Sequence, residues 1–395
     1  MKSLLSRRAA QLKPSATLAI SNKASELKSQ GVDVVGFGAG EPDFPTPAHI
    51  REAAKQSLDR GETFYTPVAG TPRLRKAIAA RFLADYGLEY KPEEIVVSCG
   101  AKHSLYNLFS ALLEEGDEMI IFAPYWVSYP EMVELAGAKP VIVETNENDR
   151  FVPDPGRVES SITSRTKAIL LNSPSNPSGV LYPRGVLEEL AKLAEEHDLL
   201  VISDEIYDKL LYDGLRFVPF ATLPGMKERT VTVNGASKTY AMTGLRIGWL
   251  ASPQLALVKA AANIQSQSTS NPTSTAQAAA VEALNGPQDE VGRMRAIFEK
   301  RRDLIMSEID RSEGLSAVKP DGAFYVFLNV SQFYGKKGIS DSATMAQYLL
   351  ESQNVACVPG GPFGSEDHVR LSFAVGEETI RKGMERIREA CRALG

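Results

Sequence analysis

The feature that most constrains this chain is a repeated alternation. Short continuous apolar runs at residues 95–99, 118–122, 138–144, 168–172, 199–203 and 230–233 are bounded by turn residues. Between them lie stretches such as 104–115 and 185–197, whose apolar residues recur at three- and four-residue steps. Such unbroken apolar runs suit strands buried on both faces, and the intervening periodicity suits amphipathic helices. The pattern predicts an α/β fold with a mostly parallel sheet between helices, and ligands in such sheets bind beyond the carboxyl ends of the strands.

From residue 288 the character changes. A long charged helix runs through Arg293, Arg301, Arg302 and Ile309. A strand at 322–328, a helix near 343–352, a strand at 369–373 and a closing helix at 377–394 follow. This pattern predicts a smaller α+β domain, joined by an N-terminal arm that contains Pro14, Pro42, Pro45 and Pro47. The expected division is a large domain at 48–288 and a small domain built from 1–47 plus 289–395. No internal repeat or low-complexity segment interrupts it.

Composition narrows the function. The chain has 395 residues, enough for two or three domains. A net charge of -5 with no dense basic block argues against nucleic acid as a partner. Cys99, Cys357 and Cys391 form no C-x-x-C pair, and the 4 histidines are scattered, so neither a disulfide framework nor a metal cluster is expected. Residues 1–16 are basic but lack the apolar core of a secretory signal. No run is long and apolar enough for a membrane span, and a cytoplasmic location is expected.

Lys238 is the leading chemical candidate. It lies in Ser237-Lys238-Thr239-Tyr240-Ala241-Met242-Thr243-Gly244-Leu245-Arg246-Ile247-Gly248, directly after the run 230–233. A lysine between a strand end and a Gly-rich turn, with an arginine eight residues on, suits a Schiff base beside a phosphate held by Ser237 and Arg246. Pyridoxal phosphate is the cofactor that combines the two. A solvated surface lysine is the bland alternative.

Other strand ends carry matching groups. Asp204 opens Asp204-Glu205-Ile206-Tyr207, where a carboxylate can pair with a protonated pyridine nitrogen; the same position also suits a helix N-cap. Tyr207 and Asn176, in Asn172-Ser173-Pro174-Ser175-Asn176-Pro177-Ser178-Gly179, can donate to a phenolate oxygen, though two such turns in a row can be plain loop chemistry. Gly100, Ala101 and Lys102 open a helix whose free N–H groups suit a phosphate. Trp126 follows another strand and can stack on a ring or pack in a core. Gly36-Phe37-Gly38-Ala39-Gly40 has the wrong spacing for a dinucleotide loop.

These motifs, in this order and spacing, resemble the fold-type I, class I aminotransferases over nearly the whole chain. Arg246, Gly248 and Val369-Arg370-Leu371-Ser372 add to the match. The resemblance implies the pyridoxal phosphate transferase fold, with a mostly parallel seven-stranded sheet. It implies that Lys238 bonds the cofactor and moves the proton, that Asp204 holds the ring nitrogen, and that Tyr207 and Asn176 hold the phenolate oxygen. Ser237, Arg246 and the turn Gly100-Ala101-Lys102 would hold phosphate, and Trp126 would stack on the ring. Gly40 and Arg370 would hold the substrate α-carboxylate, with Trp126 and Asn176 nearby. Tyr65, in Phe64-Tyr65-Thr66-Pro67, is similar to the tyrosine that reaches the neighbouring subunit's phosphate in a homodimer.

Within that class, the opening 6–17, the turn Gly40-Glu41-Pro42-Asp43-Phe44 and Trp126-Val127-Ser128-Tyr129-Pro130 resemble the bacterial Iβ-type aspartate aminotransferases, some of which accept prephenate. There Lys102, with Ser15 and Thr17, would meet the distal carboxylate. The partners implied are amino acids and 2-oxo acids. Rivals are an alanine or aromatic aminotransferase, a C–S lyase on the same fold, a transcription regulator with an aminotransferase-like domain, and a non-catalytic scaffold. Lys102 discriminates among the enzymes, because an apolar donor has no use for a cation there. The regulator needs an added DNA-binding segment, and none is seen before Lys13.

Overall fold

The computed structural model describes residues 16–395 and, before them, residues 4–6, 10 and 12; of residues 16–19 and 21 it describes the backbone only. Helix α1 (Ala16–Ser29) leads into β1 (Val35–Gly36), α2 (Ala48–Asp59) and α3 (Pro72–Tyr86). Then come β2 (Ile95–Ser98), α4 (Ala101–Leu112), β3 (Glu118–Ala123), α5 (Ser128–Leu135), β4 (Lys139–Glu144), α6 (Pro155–Ser160), β5 (Thr166–Asn172), α7 (Arg184–Glu196), β6 (Leu200–Asp204) and β7 (Thr230–Gly235). Strand β8 (Gly248–Ala251) and helices α8 (Leu255–Ser268) and α9 (Ser274–Asn285) complete this part.

The strands form a seven-stranded sheet in the order β2-β8-β7-β6-β5-β3-β4. Strand β8 runs antiparallel to both neighbours, and the other pairs are parallel. The expected runs all appear as strands, within two residues at each end. Alternate residues enter opposite cores. Met119 and Ile121 of β3 pack with α4, α5 and α8, and Ile120 and Phe122 pack with α7. A sheet covered on both faces explains why its strands read as continuous apolar runs.

Helix boundaries follow local chemistry. Thr71 caps α3 by accepting from the Leu74 N–H at 3.3 Å, Pro72 opens the helix, and Gly87 ends it at φ 68°. Helix α7 buries Leu187, Leu190, Ala191 and Ala194, spaced for one face.

The remaining elements are α10 (Asp289–Asp310), β9 (Ser316–Ala317), β10 (Tyr325–Asn329), α11 (Ser342–Gln353), β11 (Val355–Ala356), β12 (Val358–Pro359), β13 (His368–Ser372) and α12 (Glu377–Leu394). Strands β12-β13-β10-β9 make an antiparallel four-stranded sheet, and β1 pairs with β11. Val35 and Phe37 of the arm share one core with α10, α12 and β10. Among the described residues no helix is long and apolar enough to cross a membrane, and no group of three or more His, Cys, Asp or Glu side chains could hold a metal ion.

The packing of α7 carries a test. Leu190 is 1% exposed, so Leu190→Ala should lower the unfolding free energy by about 2–5 kcal/mol. Glu189, exposed on the same helix, should tolerate alanine within about 0.5 kcal/mol. Urea denaturation measures both; equal effects would contradict this assignment of faces.

Candidate active site

Parallel strands bring their carboxyl ends to one edge of the sheet, and the site gathers there. Ser98 ends β2, Asn172 ends β5 and Asp204 ends β6, while Ser237 and Lys238 follow β7. Strand β8 runs the other way, so its amino end lies at the same edge and delivers Arg246. A cavity of about 540 Å³ opens at this edge. Its lining includes Gly40, Ala101, Lys102, Trp126, Asn176, Asp204, Tyr207, Ser237, Lys238, Arg246 and Arg370.

One corner is built for an anion. Gly100 precedes α4 at φ 93°, and no acceptor among the described residues meets the N–H groups of Ala101 and Lys102. Arg246 donates to the Cys99 carbonyl at 3.3 Å and to the Thr243 carbonyl at 2.9 Å. Two glycines permit this crowding. A Cβ on Gly100 would lie 2.4 Å from Arg246 Nη2, and one on Gly248 would lie 2.1 Å from the Ala101 nitrogen. Arg246 itself has φ 56°, an uncommon conformation for a side-chain-bearing residue and one that collects at functional sites. Helix dipole, free N–H groups and guanidinium all favour a phosphate here.

The opposite wall holds a buried acid. Asp204 Oδ2 accepts from Tyr129 Oη at 2.7 Å, and its Oδ1 accepts from the Ile206 N–H at 3.3 Å. No helix follows, so Asp204 caps a turn rather than a helix. Burial pushes its carboxyl up to about 6, against the lowering effect of Tyr129. The carboxylate forms no ion pair among the described residues, which leaves room for a cationic ring nitrogen as its partner. Lys238 Nζ donates to the Gly40 carbonyl. Burial lowers its ammonium to about 8, opposed by the charge of Glu41 and aided by Arg370 and Arg246.

Arg370 is 1% exposed. It donates from Nη1 to Asn176 Oδ1 at 3.1 Å and from Nη2 to the Gly38 carbonyl at 2.9 Å, and its Nε has no partner among the described residues. Its guanidinium lies 4.5 Å from the Tyr325 ring centroid and 5.2 Å from that of Phe363. No carboxylate pairs with it among the described residues. Asn176 directs its oxygen to Arg370, which leaves its amide N–H groups as donors. Tyr207 Oη and Tyr325 Oη lie 3.0 Å apart. Lys102 Nζ sits 4.7 Å from the Trp126 ring centroid, and Trp126 meets Tyr129 edge to face at 5.2 Å.

Most of the residues expected from sequence therefore meet at one cavity. Gly100 shapes it from behind. Tyr65 does not line it: the side chain is 90% exposed. Ser15 lies outside the described residues, as does the Thr17 side chain. Tyr129, Asn172, Glu41 and Tyr325 line the cavity without having been singled out for a role. Tyr129 could have been found from its place three residues after Trp126, and Asn172 from its place at a strand end.

The architecture matches known proteins. A family model for aminotransferase class I and II covers residues 32–387. The aspartate aminotransferase of Bacillus subtilis is 49% identical over 385 residues, covering 97% of this chain and 98% of that protein. The aspartate/prephenate aminotransferase of Thermus thermophilus is 49% identical over 394 residues, covering 99% of each chain. A solved structure of the Thermus thermophilus aspartate aminotransferase with maleate superposes with a TM-score of 0.93 at 48% identity, covering 99% of this chain and 100% of that one. The chain belongs to the class I and II aminotransferases.

The lowered ammonium of Lys238 can be titrated. Below pH about 8 the amine is protonated and inert; above it the amine is neutral and nucleophilic. In protein stripped of small molecules, labelling of the Lys238 peptide by an amine-selective reagent, read by mass spectrometry, should be half-maximal near pH 8. A midpoint near the ordinary lysine value of about 10.4 would contradict the burial argument.

Proposed function

We propose that the protein is a pyridoxal phosphate-dependent aspartate aminotransferase, converting L-aspartate and 2-oxoglutarate to oxaloacetate and L-glutamate, and that it also accepts prephenate. The observation that carries this reading is Arg370. A buried guanidinium without a carboxylate leaves a strong anion site unmatched, and a substrate carboxylate completes it bidentately. The cofactor fits the remaining groups: an anion corner, a buried carboxylate lacking a cation and a buried amine face one cavity.

Pyridoxal phosphate, when bound, supplies an aldehyde carbon and a cationic ring that withdraws electrons from the substrate α-carbon. The Ala101 and Lys102 N–H groups, Ser237 and Arg246 would hold its phosphate. Asp204 would hold the ring nitrogen, with Tyr129 fixing the carboxylate. Asn176 and Tyr207 would donate to the phenolate oxygen, and Trp126 would cover the ring. Arg370 and the backbone of Gly40 would hold the α-carboxylate and so orient the α-carbon. The Lys238 amine, neutral above pH about 8, would then take the α-proton and deliver it as general base and acid.

The distal carboxylate of aspartate, glutamate or prephenate would meet Lys102, with Ser15 and Thr17 as further contacts. Lys102 is a mobile point charge that tolerates substrates of different length. We also propose the division into a large domain at 48–288 and a small domain of 1–47 plus 289–395, a cytoplasmic setting suited to the free Cys99, Cys357 and Cys391, and a homodimer. The dimer reading rests on Phe64 and Tyr65, adjacent aromatic side chains 82% and 90% exposed, with Tyr65 serving the second subunit's phosphate.

Lys102→Ala should raise KM for aspartate about tenfold, about 1.4 kcal/mol, and leave alanine nearly unchanged. Steady-state assays over a donor panel decide this; equal losses for aspartate and alanine would assign Lys102 to the cofactor phosphate instead. For the dimer, light scattering on the active enzyme should give twice the mass of 42.9 kDa, and Tyr65→Phe should weaken cofactor retention. An active monomer would refute the shared site.

A further inference from the structure

The segment after β4 has an unusual backbone. Arg150 and Phe151 are consecutive non-glycine residues with φ 55° and 56°, in the left-handed region that such residues rarely adopt. Conformations of this kind persist where the surroundings over-determine them. The turn is anchored at both ends. Thr145 donates its N–H and its hydroxyl to the Ala123 carbonyl, at 3.0 Å and 2.6 Å, at the carboxyl end of β3. The Phe151 N–H closes on the Asn146 carbonyl at 2.7 Å.

The turn reaches across to the four-stranded sheet that carries Arg370. Glu147 Oε1 accepts from Ser316 Oγ at 3.1 Å, and Oε2 accepts from Asn329 Nδ2 at 2.7 Å. Glu147 Oε2 also lies 3.4 Å from His368 Nε2, an ion-pair contact when the ring is protonated but longer than a good hydrogen bond. Ser316, Asn329 and His368 belong to β9, β10 and β13, so one carboxylate ties three adjacent strands. Phe151, 3% exposed, packs against His368 and Phe327 at centroid distances of 5.4 Å and 5.9 Å. His368 stacks on Phe327 at 4.5 Å with 9° between planes. Arg150 closes the far side by donating to both carboxylate oxygens of Asp321, at 3.0 Å and 3.1 Å.

These contacts end one step from Arg370. His368 and Arg370 are two apart on β13 and so project to the same face. Phe327 is the cross-strand partner of Arg370, and Phe363, whose ring lies 5.2 Å from the guanidinium, belongs to the same cluster as Phe151 and Phe327. We propose that the turn 145–151 is a clasp that positions Arg370, with Glu147 as its positioning residue for binding the substrate α-carboxylate. This rests on the reading of Arg370 as the α-carboxylate site. Glu147 touches neither substrate nor cofactor; it fixes the relative placement of the three strands from which Arg370 and its aromatic neighbours extend.

The test uses holoenzyme carrying Glu147→Ala, Glu147→Gln or Arg150→Ala. Succinate, a dicarboxylate with no amino group to transfer, is titrated while cofactor absorbance is followed, and KM and kcat are measured for aspartate and alanine. For Glu147→Ala the succinate Kd and both KM values should rise about tenfold, with kcat changed less than about twofold, as expected for loss of binding alone. Both donors suffer because both carry the α-carboxylate, unlike the outcome for Lys102. Glu147→Gln retains an acceptor oxygen and should recover most of the binding. Arg150→Ala, at a half-exposed pair, should raise both KM values about threefold and covers the case in which Glu147→Ala does not fold. A lower melting temperature with unchanged Kd and KM would make the clasp structural only and overturn the proposal. Arg370→Lys separates the two claims: if it binds succinate normally, the reading of Arg370 has failed, and if it binds weakly while the clasp variants bind normally, only the clasp has failed.

Discussion

The structure turns on the burial of Arg370 with no acid paired to it among the described residues. A guanidinium removed from water loses hydration that neutral oxygens replace only in part, so a carboxylate there would be strongly favoured. Its fixed partners form a relay through the fold. The Gly38 carbonyl comes from the arm and Asn176 from the loop after β5. The Asn176 N–H donates to Asn172 Oδ1 at 2.9 Å, and Asn172 Nδ2 donates to the Asp204 carbonyl at 3.1 Å. The group that would bind substrate and the acid that would hold the cofactor are thus referred to one rigid frame. Such a frame, rather than any single contact, gives reacting atoms a defined geometry.

The same burial sets the acid–base character of the cavity. Desolvation raises Asp204 to about 6 and lowers Lys238 to about 8. These shifts push both groups toward their neutral forms. Bringing a cationic ring to Asp204 would restore its charge, while the neutral amine of Lys238 is the form that can attack an aldehyde or take a proton. One low-dielectric cavity would therefore serve two unlike tasks.

Much of this was legible in the sequence, for identifiable reasons. Strands buried on both faces are continuous apolar runs, and helix α12 occupies Glu377–Leu394, the span its patterning predicts. Groups at the ends of parallel strands share an edge by topology, so Asp204, Asn176, Gly100 and Lys238 could be gathered before any coordinates. What stayed hidden depends on packing. Strand β8 has four residues, follows a Gly-containing turn and is antiparallel, so only its pairing with β2 and β7 marks it. Tyr129 reaches Asp204 from 75 residues away through the packing of α5 against β3 and β4. Lys102 lies over Trp126 through the packing of α4 against α5. The clasp around Glu147 joins residues far apart in the chain and has no local signature.

On the proposed reading, one cavity would serve the amino acid and the 2-oxo acid in turn, with Arg370 holding each α-carboxylate and Lys238 moving the proton for each. The most direct measurement mixes cofactor-loaded enzyme with L-aspartate alone and counts product. The account predicts one oxaloacetate per active site, then arrest, then renewed turnover when 2-oxoglutarate is added, with equal amounts of glutamate formed. Continuous turnover without a 2-oxo acid, or no oxaloacetate at all from loaded enzyme, would contradict it.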